Sequence, residues 1–339
     1  MNLSTIADLK INKNIADFPL IVAFGFIFLT GGVGNALVIY VFCLKKKTKT
    51  ADWLILYLGV VDFFSSVFNP PLYIYFTVFK LKQWHFGKIG CKILPALGPI
   101  MSSISFGVIL IFGIDRYLAI VSRVQGSVLS WKTVTIAFIA DVIFSICGYL
   151  HYIIGLKFYS YFGNSLCIIP AENLSYDVPN CILIIFRFSF FVAVHTFTTA
   201  KIFSTLKNCR HLSFSRELQH RHRQDSKNTI NVLITMGVVL SLLVFPKEIL
   251  HLTYSLSWLK NGKKIINTPN LQIINSCLKV LHTSNSCANV FIYSKMHNVY
   301  RKNVVQLFFK IFCKRSRSRQ RGLTELSLIT NHSKYSTRK

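Results

Sequence analysis

The chain has 339 residues, of which 52% are hydrophobic and 14% aromatic, and it carries a formal net charge of +27 at pH 7. Charged residues make up only 15% and lie between long apolar stretches, which excludes an ordinary soluble domain and predicts a membrane-embedded protein. The basic residues are spread over loops beside those stretches, so we expect them to meet anionic lipid and do not expect nucleic acid as a partner.

Seven apolar segments are long enough to cross a bilayer as α-helices. In chain order they are Phe18 to Leu44, Trp53 to Phe79, Ile93 to Ser122, Val134 to Leu156, Val178 to Leu206, Asn228 to Leu259 and Leu271 to Tyr293. Lys and Arg concentrate after the first, third, fifth and seventh segments, and such residues are retained on the cytoplasmic side. We therefore expect a multi-pass protein of the plasma membrane with an extracellular N-terminus and a cytoplasmic C-terminus.

The predicted organisation is an all-α, seven-transmembrane helix bundle with short flanking segments. Residues 1–17 are expected to be extracellular, and residues 18–294 to form the bundle. Residues 295–313 are expected to form a short amphipathic eighth helix, and residues 314–339 a disordered cytoplasmic tail. Because residues 1–17 contain no apolar core of a signal peptide, we expect no cleaved leader.

Five residues predict covalent modification. Asn2 and Asn173 each begin an Asn-x-Ser sequon on the predicted outer side and are candidate glycosylation sites. Cys313 lies at the end of the predicted eighth helix and is a candidate for palmitoylation. Cys91 at a helix tip and Cys167 in a loop are the best disulfide candidates, because both fall on the oxidising side of the membrane.

Polar residues from several predicted spans lie at one depth in the membrane. Four of them are nine to eleven positions from the inner ends of their spans, or about 15 Å at 1.5 Å per residue: Asn35, Asp62, Ser105 and Asn285. A charged group at mid-bilayer costs about 2.5 to 3.5 kcal/mol or more when it faces lipid, so Asp62 is expected to face inward and to have partners. Ser286 and Asn289 are near enough in sequence to join this layer. A purely structural hydrogen-bond cluster is the alternative to an ion site.

Several short motifs follow one another along the predicted spans. They are Gly34-Asn35, Leu58 to Asp62, Gln83 to Gly87, Cys91, Asp115-Arg116-Tyr117, Pro246 and Asn289 to Tyr293. In this combination the chain resembles the class A (rhodopsin-like) G protein-coupled receptors from Phe18 to Cys313. The resemblance implies a receptor that binds an extracellular ligand and activates a heterotrimeric G protein, with arrestin and receptor kinases as further partners.

The resemblance also implies how the inner end of the bundle works. Arg116 pairs with Asp115 in a closed state and binds an incoming G protein in an open state. The proline at 246 bends the sixth span and supplies a pivot for the opening. The residues assigned to this switch are Asp115, Arg116, Tyr117, Asn289 and Tyr293. The polar layer around Asp62 is expected to hold a sodium ion with Asn35, Ser105, Asn285 and Ser286, and no other cofactor is expected.

Two departures from the family pattern concern the helices that move. Val290 stands where the seventh span usually has a proline, and Val244 stands where the sixth span usually has a tryptophan. The usual aromatic trigger cannot be carried over to this chain. We expect Phe245 and its neighbours to couple the ligand to helix motion, or signalling to be weak or constitutive.

The ligand site is predicted in the outer half of the bundle. Gly98 stands where amine receptors carry an aspartate, so a monoamine is not expected, and Thr283 stands where opsins carry the retinal lysine, so retinal is not expected either. Several cations face a single acid there, Glu248, which favours a peptide or an acidic, lipid-like ligand. The alternative is that Glu248 pairs with one lysine while the other cations reach the outer interface. The candidate pocket residues are Gly98, Met101, Ser102, Arg187, Lys247, His251, Lys279, His282 and Thr283.

Other classes of protein make different predictions for this sequence. A transporter or channel predicts an inverted repeat and charges along a continuous pore, and neither is present in the sequence. Common catalytic motifs such as the P-loop and His-Glu-x-x-His are also absent, so an enzyme is not expected. A non-signalling receptor-like protein that pairs with another receptor is a further alternative, for which Val244 and Val290 are mild support.

Overall fold

The computed structural model describes residues 3–44, 50–79, 83–121, 129–161, 164–168, 174–208, 216–262, 268–296 and 300–307. These residues form a bundle of long helices with one β-hairpin at its end. The helices are α1 (Leu3–Leu44), α2 (Thr50–Phe79), α3 (Gly87–Val121), α4 (Trp131–Gly148), α5 (Leu150–Gly155), α6 (Leu174–Asn208), α7 (Arg216–Asn261) and α8 (Pro269–Met296). The strands are β1 (Lys157–Tyr161) and β2 (Asn164–Ile168), and residues 300–307 form a further short helix.

The observed helices correspond to the seven predicted spans. The first three are α1 to α3, the fourth is α4 followed by α5 after a turn at Tyr149, and the last three are α6 to α8. The first helix begins at Leu3 and therefore includes most of the segment predicted to precede the first span. The predicted seven-helix bundle is confirmed.

Among the described residues, six helical segments are both long enough and apolar enough to cross a membrane. Helix α8 is not one of them, because it carries many polar side chains along its 28 residues. It nevertheless packs against α1, α2 and α7, and most of the polar side chains from His282 to Asn289 are buried in the bundle. A span whose polar face is covered by neighbouring helices can be less apolar than one that faces lipid.

Large apolar side chains cover the outside of the bundle. On α1, Val22, Leu29 and Val33 are each more than half exposed, and Ile136 on α4 and Ile182 on α6 are exposed to a similar degree. A soluble monomer rarely exposes apolar patches of this extent, whereas lipid contact requires them. The chain is therefore a multi-pass membrane protein.

The centre of the bundle is built around α3, which packs against α2, α4, α5, α6 and α7. Helix α1 packs closely against α8 at Gly34. A Cβ atom at Gly34 would lie 2.6 Å from Val290 Cγ1, so a larger residue there requires the two helices to separate. The absence of a side chain at Gly34 therefore accommodates the valine that replaces the family's seventh-span proline.

The hairpin is fixed to the end of α3 that carries Cys91, which we call the outer end after the orientation expected from the sequence, the opposite end being the inner one. Cys91 and Cys167 form a disulfide, as predicted, and Cys167 lies opposite Phe158 in the antiparallel pair β1–β2. The Trp84 amide donates to Ser165 O at 2.7 Å, which attaches the segment before α3 to the same hairpin. These bonds hold the hairpin beside the outer mouth of the bundle.

Several predicted features lie outside the described residues. These are the glycosylation sites Asn2 and Asn173, the palmitoylation site Cys313 and the tail at 314–339. The described part of the predicted eighth helix, residues 300–307, is helical. Its first residue, Tyr300, is buried against Tyr293 of α8, with the ring centroids 6.2 Å apart.

Candidate functional site

The inner end of α3 carries a closed cluster of polar side chains. Arg116 binds Asp115 twice, with Nε at 2.9 Å and Nη2 at 2.5 Å from Oδ2. Thr50 at the start of α2 donates to Asp115 Oδ1 at 2.6 Å and accepts from Arg116 Nη2 at 3.2 Å. The side chain of Asp115 is 0% exposed and that of Arg116 is 14% exposed, so most of the guanidinium is covered. We call Thr50, Asp115 and Arg116 the inner cluster.

The other residues assigned to the switch do not join the hydrogen bonds of this cluster. Tyr117 packs on Phe197 of α6, with ring centroids 5.8 Å apart. Tyr293 is buried, and its hydroxyl has no hydrogen-bond partner among the described residues. Asn289 belongs to a second group, described next. The predicted switch is thus distributed over α3 and α8.

The predicted polar layer is assembled around Asp62 on α2. Asn289 Nδ2 donates to Asp62 Oδ2 at 2.8 Å, and Ser105 Oγ donates to Oδ1 at 3.3 Å. On the α1 side, Asn35 Nδ2 donates to Ser286 O at 2.6 Å. All of these residues are buried, and so is Asn285. The expectation that Asp62 faces inward with partners is confirmed, because its carboxylate contacts both α3 and α8.

An aromatic cluster lies between the polar layer and the outer half of the bundle. The ring of Phe245 on α7 stacks on Phe106 of α3, with centroids 5.3 Å apart, and meets Phe188 of α6 edge-on at 4.4 Å. Phe191 of α6 packs edge-on against Phe106 at 4.8 Å. Val244, at the position of the missing tryptophan, is fully buried. Phe245 therefore joins α7 to α3 and α6 just before Pro246.

Above this cluster, polar side chains from different helices form one chain of contacts. Arg187 of α6 pairs with Glu248 of α7 at 2.7 Å and also donates to the hydroxyl of Tyr149. His282 Nε2 of α8 lies 3.8 Å from Glu248 and 3.1 Å from Ser102 Oγ of α3. We call these five residues the outer polar chain. It connects four spans and the turn between α4 and α5.

The outer polar chain corrects the prediction made for Glu248. The alternative in which Glu248 pairs with a lysine is wrong, because its carboxylate binds Arg187. Lys247 is 7% exposed, so it does not extend to the outer interface either. Its ammonium donates to the hydroxyl of Tyr73 at 3.3 Å. The two neighbours Lys247 and Glu248 thus make separate contacts on different sides of α7.

The remaining predicted pocket residues take different positions. Met101 packs against the hydrophobic core of the bundle. Thr283 donates to the backbone of its own helix at Lys279 O, at 2.7 Å. His251 is exposed, one turn along α7 from Lys247. Gly98 lies next to Tyr73, because a Cβ atom built on it would be 3.6 Å from the Tyr73 hydroxyl.

Three hydrogen-bond partners and an acid within the fourth span were not identified from the sequence. Thr50 and Tyr73 are ordinary helix residues and Tyr149 lies in the turn between α4 and α5, so their contacts depend on how the helices are rotated and placed. Asp141 of α4 could have been identified from the sequence, because an acid within an apolar span is costly in lipid and is therefore expected to face the interior of the bundle. It lies against Gly107, where an added Cβ would be 1.9 Å from Asp141 Oδ1.

The fold and these contacts define a seven-helix membrane protein with a polar core and a covered arginine at its inner end. Residues 34–293 match the family described as "7 transmembrane receptor (rhodopsin family)". The chain belongs to this family of rhodopsin-like seven-transmembrane receptors.

Similar proteins include a melanopsin and a chemotactic receptor. The chain is 38% identical to melanopsin of Rattus norvegicus over 93 residues, which are 27% of this chain and 19% of melanopsin. It is 28% identical to the C5a anaphylatoxin chemotactic receptor 1 of Homo sapiens over 166 residues, or 47% of each protein. The matches thus span about a fifth and about half of these relatives.

The structure of squid rhodopsin has the same fold as this chain. The two superpose with a TM-score of 0.72 at 20% sequence identity, over 88% of this chain and 87% of squid rhodopsin. The shared fold therefore extends well beyond the segments that match in sequence.

Proposed function

We propose that this protein is a ligand-regulated receptor of the plasma membrane that activates a heterotrimeric G protein. The observation that carries the proposal is the inner cluster, in which a mostly covered arginine is held by Asp115 and Thr50. Family membership supports a G protein as the partner. In this proposal the N-terminus is extracellular, the C-terminus is cytoplasmic, and arrestin and receptor kinases act on the tail.

The inner cluster supports activation by a change between two packings of the helices. Charge-assisted hydrogen bonds to Asp115 keep the Arg116 guanidinium occupied while the bundle is closed. When the inner ends of α3 and α7 separate, the guanidinium becomes available to backbone carbonyls of the G protein. A ligand favours this state by binding it more tightly than the closed state.

Phe245 and Pro246 provide the connection between the outer half and the inner cluster. Proline interrupts the helical hydrogen-bond ladder of α7 and so permits a bend at one place. Phe245 holds that place against Phe106 and Phe188. A ligand that displaces Arg187 of the outer polar chain would also disturb Phe106, because the guanidinium lies 5.4 Å from the centroid of that ring. Phe106 in turn stacks on Phe245. The ligand signal would therefore pass through these rings and not through a tryptophan.

Other functions are less consistent with these findings. A transporter or channel is not favoured, because the chain belongs to a receptor family. For the ligand, the cations of the outer half favour a peptide or an acidic, lipid-like molecule over an amine. A receptor-like protein that does not signal is an outcome of the first experiment below.

The proposed function predicts that removing the arginine abolishes catalysis of nucleotide exchange. Arg116→Ala keeps the helix but deletes the guanidinium that binds the G protein, so exchange should fall to the rate without receptor. The measurement uses purified receptor in nanodiscs with a panel of heterotrimeric G proteins, and Arg116→Lys is the charge-matched control. If wild type and Arg116→Ala accelerate exchange equally, the assignment of Arg116 is wrong. If neither does with any G protein, a non-signalling protein is the better account.

The residues around Asp62 fit a bound sodium ion. They offer the Asp62 carboxylate and the Ser105 hydroxyl, while Asn35 Oδ1 in the same layer is buried with no hydrogen-bond partner among the described residues. Sodium prefers such oxygen ligands, and its charge would compensate a carboxylate in a low-dielectric region. The bound ion would hold α2 and α3 together and so favour the closed packing.

This sodium site predicts a stability that depends on the cation. Replacing choline chloride by sodium chloride at equal ionic strength should raise the thermal unfolding midpoint of the purified wild type by several degrees, because the ion binds the folded state only. Asp62→Asn keeps the size of the side chain and one acceptor oxygen but removes the charge, and it should lose the response. An equal sodium response in both proteins would contradict the site.

A further inference from the structure

The outer half of the bundle holds more buried positive charge than its acids neutralise. Glu248 neutralises Arg187, and it is the carboxylate of the outer polar chain. In the part of the chain that the structure describes, neither Lys247 nor Lys279 forms an ion pair with a carboxylate. A buried ammonium without a counter-ion is costly, because it loses its hydration without gaining an opposite charge. Such a site stabilises an anion that enters it.

Both lysines interact with the same residue, Tyr73 of α2. Lys247 Nζ lies 3.3 Å from the Tyr73 hydroxyl and 5.7 Å from the centroid of its ring. Tyr73 is within electrostatic reach of both Lys247 and Lys279, and the two ammonium groups repel each other. Because the Tyr73 oxygen accepts from Lys247, its own proton is free to be donated to a further acceptor. Donors from α2 and α7 therefore meet at this place, and the ammonium of Lys279 on α8 adds positive charge near it.

On α3, the residue that faces Tyr73 is Gly98. A Cβ atom there would lie 3.4 Å from Asn69 Oδ1 and 3.6 Å from the Tyr73 hydroxyl, which are ordinary contact distances. A side chain can therefore start at this position without a clash. A carboxylate placed here would be close to Tyr73 and to Lys247.

We propose that Lys247, Lys279 and Tyr73 bind the carboxylate of the extracellular ligand. This inference rests on the receptor function proposed above and specifies its ligand class, an organic acid. Lys247 directly follows Pro246, so an anion that joins it to Tyr73 and Lys279 ties α7 to α2 and α8 next to the pivot. The carboxylate can come from a fatty acid or from the free C-terminus of a peptide. The remainder of the ligand extends toward the outer mouth.

The first test introduces a carboxylate beside Lys247 by substituting a residue of the protein. Gly98→Asp should place an anion beside Lys247, whereas Gly98→Asn has nearly the same shape without the charge. We expect the thermal unfolding midpoint of Gly98→Asp to exceed that of Gly98→Asn by roughly 3 °C or more, because a new buried ion pair forms. In a Lys247→Gln background the difference should vanish or reverse. A Gly98→Asp midpoint no higher than that of Gly98→Asn, in the presence of both lysines, overturns the site.

The second test uses wild-type receptor and added acids, and it does not depend on a Gly98 variant. The probes are oleate against methyl oleate, and a peptide ending in Leu-Phe with a free against an amidated C-terminus. At least one acid should raise the thermal midpoint of the full-length receptor in nanodiscs while its neutral partner does not, and Lys247→Gln should abolish that rise. The acid that succeeds identifies the source of the carboxylate. If neither acid stabilises, or if acid and neutral partner stabilise equally, the proposed ligand class is wrong.

Both readouts are independent of the G protein. Carboxylate binding without any effect of Arg116→Ala on nucleotide exchange would reject the receptor function and keep this binding site. If nucleotide exchange requires Arg116 but no charge-dependent stabilisation occurs at Lys247, the receptor function is kept and the carboxylate site is rejected.

Discussion

Asp115→Asn should raise ligand-independent nucleotide exchange by about tenfold or more, because a charge-assisted hydrogen bond contributes roughly 1.5 to 3 kcal/mol and each 1.4 kcal/mol changes a population tenfold. Asp115 accepts two bonds from Arg116 and one from Thr50, all in a region closed to solvent. Asparagine keeps the shape but loses the charge that holds the guanidinium. The open packing is therefore reached more often without a ligand. The measurement is the exchange rate of a purified G protein at matched receptor concentrations.

Three further variants separate this effect from a general loosening of the inner end. Thr50→Val removes the two hydrogen bonds of the hydroxyl but leaves the direct ion pair between Asp115 and Arg116, so its increase should be clearly smaller, and Thr50→Ser should behave like wild type. The double variant Asp115→Asn with Arg116→Ala should lose the increase entirely, since the guanidinium is the group that is released. If that double variant retains fast exchange, the inner cluster does not act through Arg116.

The second large effect is expected at the outer polar chain. Arg187→Met leaves Glu248 mostly buried without its counter-ion, and the Glu248 side chain is only 12% exposed. Breaking a buried pair by removing one partner costs about 3 to 5 kcal/mol, which corresponds to a fall in the thermal unfolding midpoint of roughly 10 °C. The double variant Arg187→Met with Glu248→Leu should recover most of this loss, because apolar residues can replace a buried ion pair. Purified receptor in nanodiscs serves for the measurement.

Lys247→Met is the matched control for that experiment. Lys247 is buried on the same helix turn as Glu248 but pairs with no described carboxylate, so its removal should leave the thermal midpoint unchanged or raise it. A single Arg187→Met variant that unfolds within about 2 °C of wild type would show that the pair adds little to stability.

Features fixed by depth in the membrane could be predicted from the sequence. Asp62 had to face inward because a charge at its depth is costly in lipid, and its contacts with Ser105 and Asn289 agree with that argument. The disulfide between Cys91 and Cys167 followed from their shared side of the membrane. Both arguments use only the distance of a residue from the end of a span, which the sequence gives directly.

Features fixed by the rotation of one helix against another could not be predicted. Successive residues of a helix point about 100° apart, so Lys247 and Glu248 contact different neighbours. Hydropathy does not determine which of them faces Arg187. For the same reason, the sequence does not show that Thr50 on α2 faces Asp115 on α3. The packing of α1 against Val290 was likewise visible only once Gly34 and α8 were placed side by side.

The most direct test of the account is the distance between the inner ends of α4 and α7 in the working receptor. Spin labels at Lys132 and Asn231, which are both exposed, report that distance by double electron–electron resonance in nanodiscs. We expect two distance populations, with the longer one enriched by Asp115→Asn and enriched further by a nucleotide-free G protein. A single distance that neither the substitution nor the G protein changes would contradict the claim that Arg116 is released by a second packing of the helices.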